Sequence, residues 1–167
     1  RKRAPTANYI QASNLSLPFN DEMFDIVISD GVIHHTPNAR RSFEENARIL
    51  KNHGLYYLSV YRSNGYYYYL YNYFGVIVRY LEKKRLGRYF INTTLLPVYY
   101  LAHLIKSRGK RTWKGARHFF YDYIITPQAS SHNKKQVCAW AQQLNLQMLE
   151  YVPVVGNTHV FIFKKSL

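Results

Sequence analysis

Two adjacent histidines, His34 and His35, stand three residues beyond Ser29-Asp30-Gly31, and these five residues hold the most concentrated chemistry in the chain. A histidine titrates near neutral pH, so it can take a proton from an oxygen or nitrogen acceptor while a neighbour orients it. A glycine beside them lets a backbone and a ligand approach closely. Each group also has a plainer reading. Asp30 is equally a turn-forming carboxylate, and one of the two histidines packs or caps the helix that follows. No cysteine or acidic cluster accompanies the histidines at a ligand spacing, so no metal is expected. The single Cys138 rules out an internal disulfide and, beside Val137 and Trp140, reads as a small buried hydrophobe.

These residues need an element to hold them. Ile26 to Ile28 is a short, continuous, β-branched run, as expected for a parallel strand covered on both faces by helices. Polar residues arrive together at its carboxyl end, where open α/β sheets bind ligands. A strand is expected before it at Tyr9 to Ala12. After it, Thr36-Pro37 starts a helix over about 38–51, with Ala39, Phe43, Ala47 and Leu50 on one face and Gly54 as its end. A strand over 55–61 follows. Near the other terminus, Asn133 and Gln136 cap a helix whose Val137, Trp140, Ala141 and Leu144 share a face. Asn145 is its left-handed cap. Strands at 147–152 and 158–164, joined through Gly156-Asn157, make an antiparallel hairpin.

Leu17-Pro18-Phe19, Phe24-Asp25, Val27, Ile33-His34-His35, the helix end Ile49-Leu50-Lys51 and Gly54 occur in the order and spacing of a known pattern. In them the chain resembles the class I S-adenosylmethionine-dependent methyltransferases of the type 11 kind, well over about 8–61 and more weakly over about 117–164. The resemblance implies a Rossmann-like α/β sheet with S-adenosylmethionine as cofactor. It places Ser13, Asn14, Ser29, Asp30 and Gly31 on the cofactor side, and Tyr61 and Arg62 toward the acceptor. His34 and His35 are the catalytic candidates, and Tyr121 and Asp122 are further substrate-side candidates. The family's Gly-rich cofactor loop and the acid ending its second strand have no counterpart here, so the chain reads as the C-terminal portion of a longer protein. Ser13 stands where the family has an aspartate that bonds the adenine amino group; a serine accepts that bond without charge. Asn52-His53 replace Pro-Gly at a turn.

Residues 62–117 differ in character. They carry 12 of the Lys and Arg residues against one acid, Glu82, and include Tyr66-Tyr67-Tyr68-Tyr69, Tyr71 and Tyr73. The apolar runs read as helical pairs, and neither spans a membrane, because Arg79 with Lys83-Lys84-Arg85 interrupts the first and Pro97 breaks the second. The segment is expected to be a basic, Tyr-rich helical cap inserted into a partial methyltransferase core formed by 1–61 and 118–167. Its cations and tyrosines suit an anionic membrane surface, a small acidic or amphiphilic substrate or, less well, a nucleic acid. Tyrosines at helical spacing also simply pack a small subdomain.

With 167 residues, 47% hydrophobic, and a net charge of +14, one α/β domain or most of one is expected, cytoplasmic or membrane-peripheral. The function implied is methyl transfer to an anionic or amphiphilic small molecule, weak or absent in this fragment alone. The alternative is a non-catalytic remnant serving as a basic module for anionic lipid or nucleic acid. Without neighbours for its first strand, the chain is expected to aggregate or to associate with a partner.

Overall fold

The computed structural model describes residues 7–63, 65–153 and 157–167. The chain divides into two compact units: Arg1–Ser63 with Ser130–Leu167, and Asn64–Ala129.

The first unit is a four-stranded mixed sheet. Strands β1 (Phe24–Asp30) and β2 (Leu50–Tyr61) are parallel, while β3 (Leu146–Pro153) and β4 (Thr158–Lys165) form an antiparallel pair whose β4 also pairs with β2, in the order β1-β2-β4-β3. Helices α1 (Ala39–Arg48) and, near the other end, α7 (Lys134–Gln143) supply the apolar residues that cover one face. Phe43 of α1 lies 5.3 Å from the Tyr56 ring, 5.9 Å from Phe163 and 5.8 Å from Trp140 of α7, so one aromatic cluster joins both helices to the sheet. Both helices begin as their side chains dictate: the amides of Arg41 and Gln136 donate to the side chains of Asn38 and Asn133. Asn145 takes the left-handed conformation, φ 54°. Gly156, in the expected β3–β4 connection, lies outside the described residues.

Three expectations are corrected. Tyr9 to Ala12 form no strand: Tyr9 and Ile10 are exposed, and among the described residues the sheet holds only β1, β2, β4 and β3. The run Ile26 to Ile28 is covered on one face only. Val27 is buried against the helices, but Ile26 and Ile28 on the other face are 59% and 69% exposed. Gly54 does not end α1, which stops at Arg48. It lies within β2, where β1 advances two residues (Phe24 to Ile26) while β2 advances five (Leu50 to Leu55). That bulge turns at His53, φ 65°, and a Cβ on Gly54 would come within 2.9 Å of the Asp25 and Lys51 carbonyl oxygens. Close backbone approach, not helix termination, explains the glycine.

The second unit is helical. Its chain runs through α2 (Tyr66–Tyr69) and α3 (Gly75–Glu82), then α4 (Arg85–Phe90) and α5 (Leu96–Lys106), then α6 (Trp113–Phe120). Single π-helical turns at Leu70–Phe74 and Ile91–Leu95 join the first two pairs, and a third, Tyr121–Ile125, extends α6. The result is three continuous rods, 66–82, 85–106 and 113–125, in place of the expected helical pairs. Pro97 does not interrupt the second rod, because it falls in the first turn of α5, directly after the π turn. The unit reaches Ala129, twelve residues past the boundary drawn from the sequence. Phe120 and Ile124 of the third rod belong to its core with Val78, Ile91 and Leu96.

The tyrosine run separates by face. Tyr67 donates its hydroxyl to the Tyr123 carbonyl at 2.8 Å and Tyr71 to that of Thr126 at 3.1 Å, while Arg79 donates to the Ile124 carbonyl at 2.9 Å. These three donors cap the end of the third rod, whose last carbonyls have no partner within the helix. Tyr66 and Tyr69 point outward, 65% and 62% exposed.

Candidate active site at the ends of the parallel strands

The corner is built from the LPF turn upward. Leu17 donates its amide to Glu45 Oε2 at 2.9 Å, and Arg48 donates to the carbonyls of Leu17 (3.0 Å) and Phe19 (2.8 Å) while pairing with Glu45 at 2.9 Å. Glu45 is 2% exposed, and the Arg48 side chain holds its carboxyl below the ordinary range. Helix α1 thus pins the turn that precedes β1, and the Phe19 ring meets Phe24 edge-on at 5.0 Å. Ser13 and Asn14 lie just before this turn: Ser13 Oγ accepts from the Leu15 amide at 3.3 Å, and Asn14 donates to Ser42 of α1.

At the carboxyl end of β1, Ser29 is buried and Asp30 exposed. Gly31 turns the chain with φ 74°, its amide donating to the Ser59 carbonyl at 3.2 Å, and open space surrounds the position a Cβ would take. This is a backbone cradle that glycine alone forms without strain. The Ser29 and Tyr56 hydroxyls make no hydrogen bond of ordinary geometry. Burial raises the Tyr56 phenol pKa, and the nearness of Ser29 and Asn46 tempers the rise.

A single 3-10 turn, Ile33–His35, carries the histidines. His34 is 1% exposed, its ring 3.8 Å from that of Tyr61 and 4.4 Å from that of His35, and neither ring nitrogen has a hydrogen-bond partner. Burial first, then the neighbouring His35 and His132, lowers its pKa to about 3. Its ring is therefore held uncharged, packed against the rings of Tyr61 and His35. His35 is half-buried on the same turn.

The segment 130–132 returns to this corner. Ser130 donates its amide to the His34 carbonyl at 2.8 Å, and its Oγ lies 2.9 Å from His132 Nε2, whose other ring nitrogen faces Gln136 at 3.2 Å. His132 pairs with the end of β2, its amide donating to the Tyr61 carbonyl at 2.8 Å. Burial lowers its pKa, partly offset by Gln136. His159, at the start of β4, is 1% exposed, and burial, with Arg62 next, lowers its pKa to about 4. Tyr61 and Arg62 therefore sit in a histidine cluster. The sequence singled out neither His159 nor Ser130, because no local spacing links them to residue 34.

Tyr121 and Asp122 belong to the helical unit, on the π turn Tyr121–Ile125. The Arg117 guanidinium lies 5.4 Å from the Tyr121 ring, and among the described residues no ion pair joins Asp122 to Arg117. The helical unit also has a groove of about 590 Å³ lined by Val76, Arg79, Tyr80, Glu82, Lys83, Ile125 and Pro127. Among the described residues no cluster of His, Cys, Asp and Glu could hold a metal ion, and no helix is long and apolar enough to cross a membrane.

Residues 1–58 match the family model described as a methyltransferase domain, and the motif from Leu17 to Gly54 falls inside that match. Solved structures of the same fold include an S-adenosylmethionine-dependent methyltransferase from Thermotoga maritima (TM-score 0.52, 12% identity, 94% of this chain and 63% of that one). Others are a protein from Pyrococcus horikoshii (0.53, 15%, 99% and 62%) and a Burkholderia thailandensis 1,6-didemethyltoxoflavin-N1-methyltransferase (0.51, 10%, 95% and 50%). The last was solved with 1,6-didemethyltoxoflavin and S-adenosylhomocysteine bound. Comparison with curated proteins found no match. The family match covers 58 of the 167 residues, and the likeness to these structures is one of fold, a Rossmann-like α/β sheet. The chain spans less than two thirds of the length of these three structures.

Proposed function

We propose that the chain forms the acceptor side and part of the cofactor side of an S-adenosylmethionine-dependent methyltransferase acting on a small anionic or amphiphilic acceptor. The observation that carries this is the cradle at Gly31, left-handed and open at the carboxyl end of a parallel strand, inside the stretch that matches a methyltransferase domain. A glycine there lets the backbone of Asp30 and Gly31 lie against a ligand's amino-acid portion, with Ser13 and Asn14 on the adenosine side.

Bound there, the sulfonium supplies an electrophilic methyl group. The protein's part is to align the acceptor in line with it and to exclude water. His35 takes the proton when the acceptor must lose one, and His34, packed against Tyr61, fixes the turn that presents it. Arg62 favours an anionic acceptor.

The test is calorimetric binding of S-adenosylmethionine and S-adenosylhomocysteine by the whole gene product and by this chain. We expect the whole product to bind, this chain to bind weakly, and Gly31→Val to weaken binding at least tenfold, with Asp30→Ala as a variant free of backbone strain. Failure of the whole product to bind either compound would overturn the reading.

A further inference from the structure

We propose that the helical unit lies flat on an anionic phospholipid surface through one face of the rod 66–82. Tyr66, Tyr69, Tyr73, Ile77 and Tyr80 follow one another at spacings of three, four, four and three. All five are exposed, between 60% and 67%, while Tyr67, Tyr71 and Val78 on the opposite face are buried. At about 1.5 Å per residue the rod is roughly 25 Å long, so the stripe is a line of aromatic rings along an entire helix. Tyrosine has an apolar body and a polar tip, the residue type that rests at the headgroup level of a bilayer.

Charge decides what covers the stripe. The unit has 11 Lys and Arg against two acids, Glu82 and Asp122. Every ion pair among the described residues lies in the sheet unit, so the cations of the helical unit are uncompensated by carboxylates. The stripe ends at Lys83-Lys84-Arg85, with Lys84 Nζ 5.7 Å from the Tyr80 ring. Leu86 follows, 84% exposed. A neutral apolar partner leaves this field unanswered. A nucleic acid answers it but gains nothing from Ile77 and Leu86. An anionic bilayer surface takes both, with cations at the phosphates and apolar side chains in the acyl boundary. No described helix is long and apolar enough to cross the bilayer, and the proposed contact is in-plane. The proposal stands apart from methyl transfer and does not depend on cofactor binding.

The test is flotation of the whole protein with vesicles of phosphatidylcholine alone and of phosphatidylcholine with phosphatidylglycerol, at low and high salt. The expected result is binding to the phosphatidylglycerol vesicles, at least tenfold weaker on neutral ones and reduced by salt. Each cation removed should weaken partitioning about fivefold, so K83Q/K84Q/R85Q together should lose roughly 100-fold. Y69S/Y73S should also weaken binding and Y69F/Y73F retain it, each variant keeping the parent's melting midpoint. No flotation, equal flotation on neutral vesicles, an unchanged triple variant, or binding to RNA without binding to vesicles would each overturn the proposal.

Discussion

His34 and His35 share one turn and the Tyr61 ring but differ in burial, His34 being buried and His35 half-buried. His34 has the Tyr61 ring against it and no acceptor for a proton, so charging it places an unpaired cation in the interior. The pair was legible in the sequence, but which member is buried depends on Tyr61, His132 and Ser130, which reach the corner from distant parts of the chain. His35→Gln is expected to lower the methyl-transfer rate of the whole protein by about 10²-fold or more, with His34→Leu costing less than tenfold. The reverse order in single-turnover assays would exchange the roles. His34 also sets a pH dependence. Its folded pKa of about 3, and that of His159 at about 4, lie below the ordinary 6.5, so the unfolded chain binds more protons in between. Stability is therefore complete above about pH 6.5 and falls as the pH drops toward 4 and then 3. A tenfold loss of proton affinity on folding corresponds to about 1.4 kcal/mol, so the two histidines should remove a few kcal/mol by pH 4. Glu45, held down by Arg48, adds to the loss only below its ordinary 4.5, so the interval from 6.5 to 5 reports the histidines. A melting midpoint that stays level over that interval, or a His34→Leu protein with the parent's slope, would refute this account.

Elements were read correctly where one residue's local chemistry decides them. Asn133 caps its helix, Asn145 is left-handed, and β3 pairs antiparallel with β4. The misreadings occur where a distant partner decides. Tyr9 to Ala12 need a neighbouring strand, and Gly54 answers to the Asp25 carbonyl across the ladder. Gly87 shows how tight the packing of the helical unit is. A Cβ there would lie 2.0 Å from the Leu81 carbonyl oxygen, a backbone atom that cannot swing away. Alanine normally favours a helix over glycine, by about 1 kcal/mol, yet at this position the clash should dominate. Gly87→Ala is expected to destabilise the helical unit by about 1–3 kcal/mol, the usual cost of overpacking. A denaturation midpoint equal to or above that of the parent would show that α4 can shift away from Leu81.

For the whole molecule, the consequence of this sheet is an uncovered surface. β1 is the edge strand, one ladder side carries no partner among the described residues, and Ile26 and Ile28 stand on the face opposite α1 and α7. That the strand would be an apolar edge followed from the family resemblance, whose sheet puts strands without a counterpart here beside the Phe24 strand. That helices would cover only one face was not legible, since a buried run looks the same whichever helices bury it. Such an edge recruits other chains, so this chain alone should elute as oligomers or aggregates, with multi-angle scattering giving the mass. Ile28→Lys places a charge in the middle of the exposed face and should shift the chain toward monomer. Its stability cost should stay within about 0.5 kcal/mol, because the side chain packs on little that it would lose. A parent chain that is monomeric and melts cooperatively would mean that β1 is covered in solution. A lysine variant as aggregated as the parent would place the association elsewhere, and the exposed tyrosine stripe of the helical unit would be the next surface to charge.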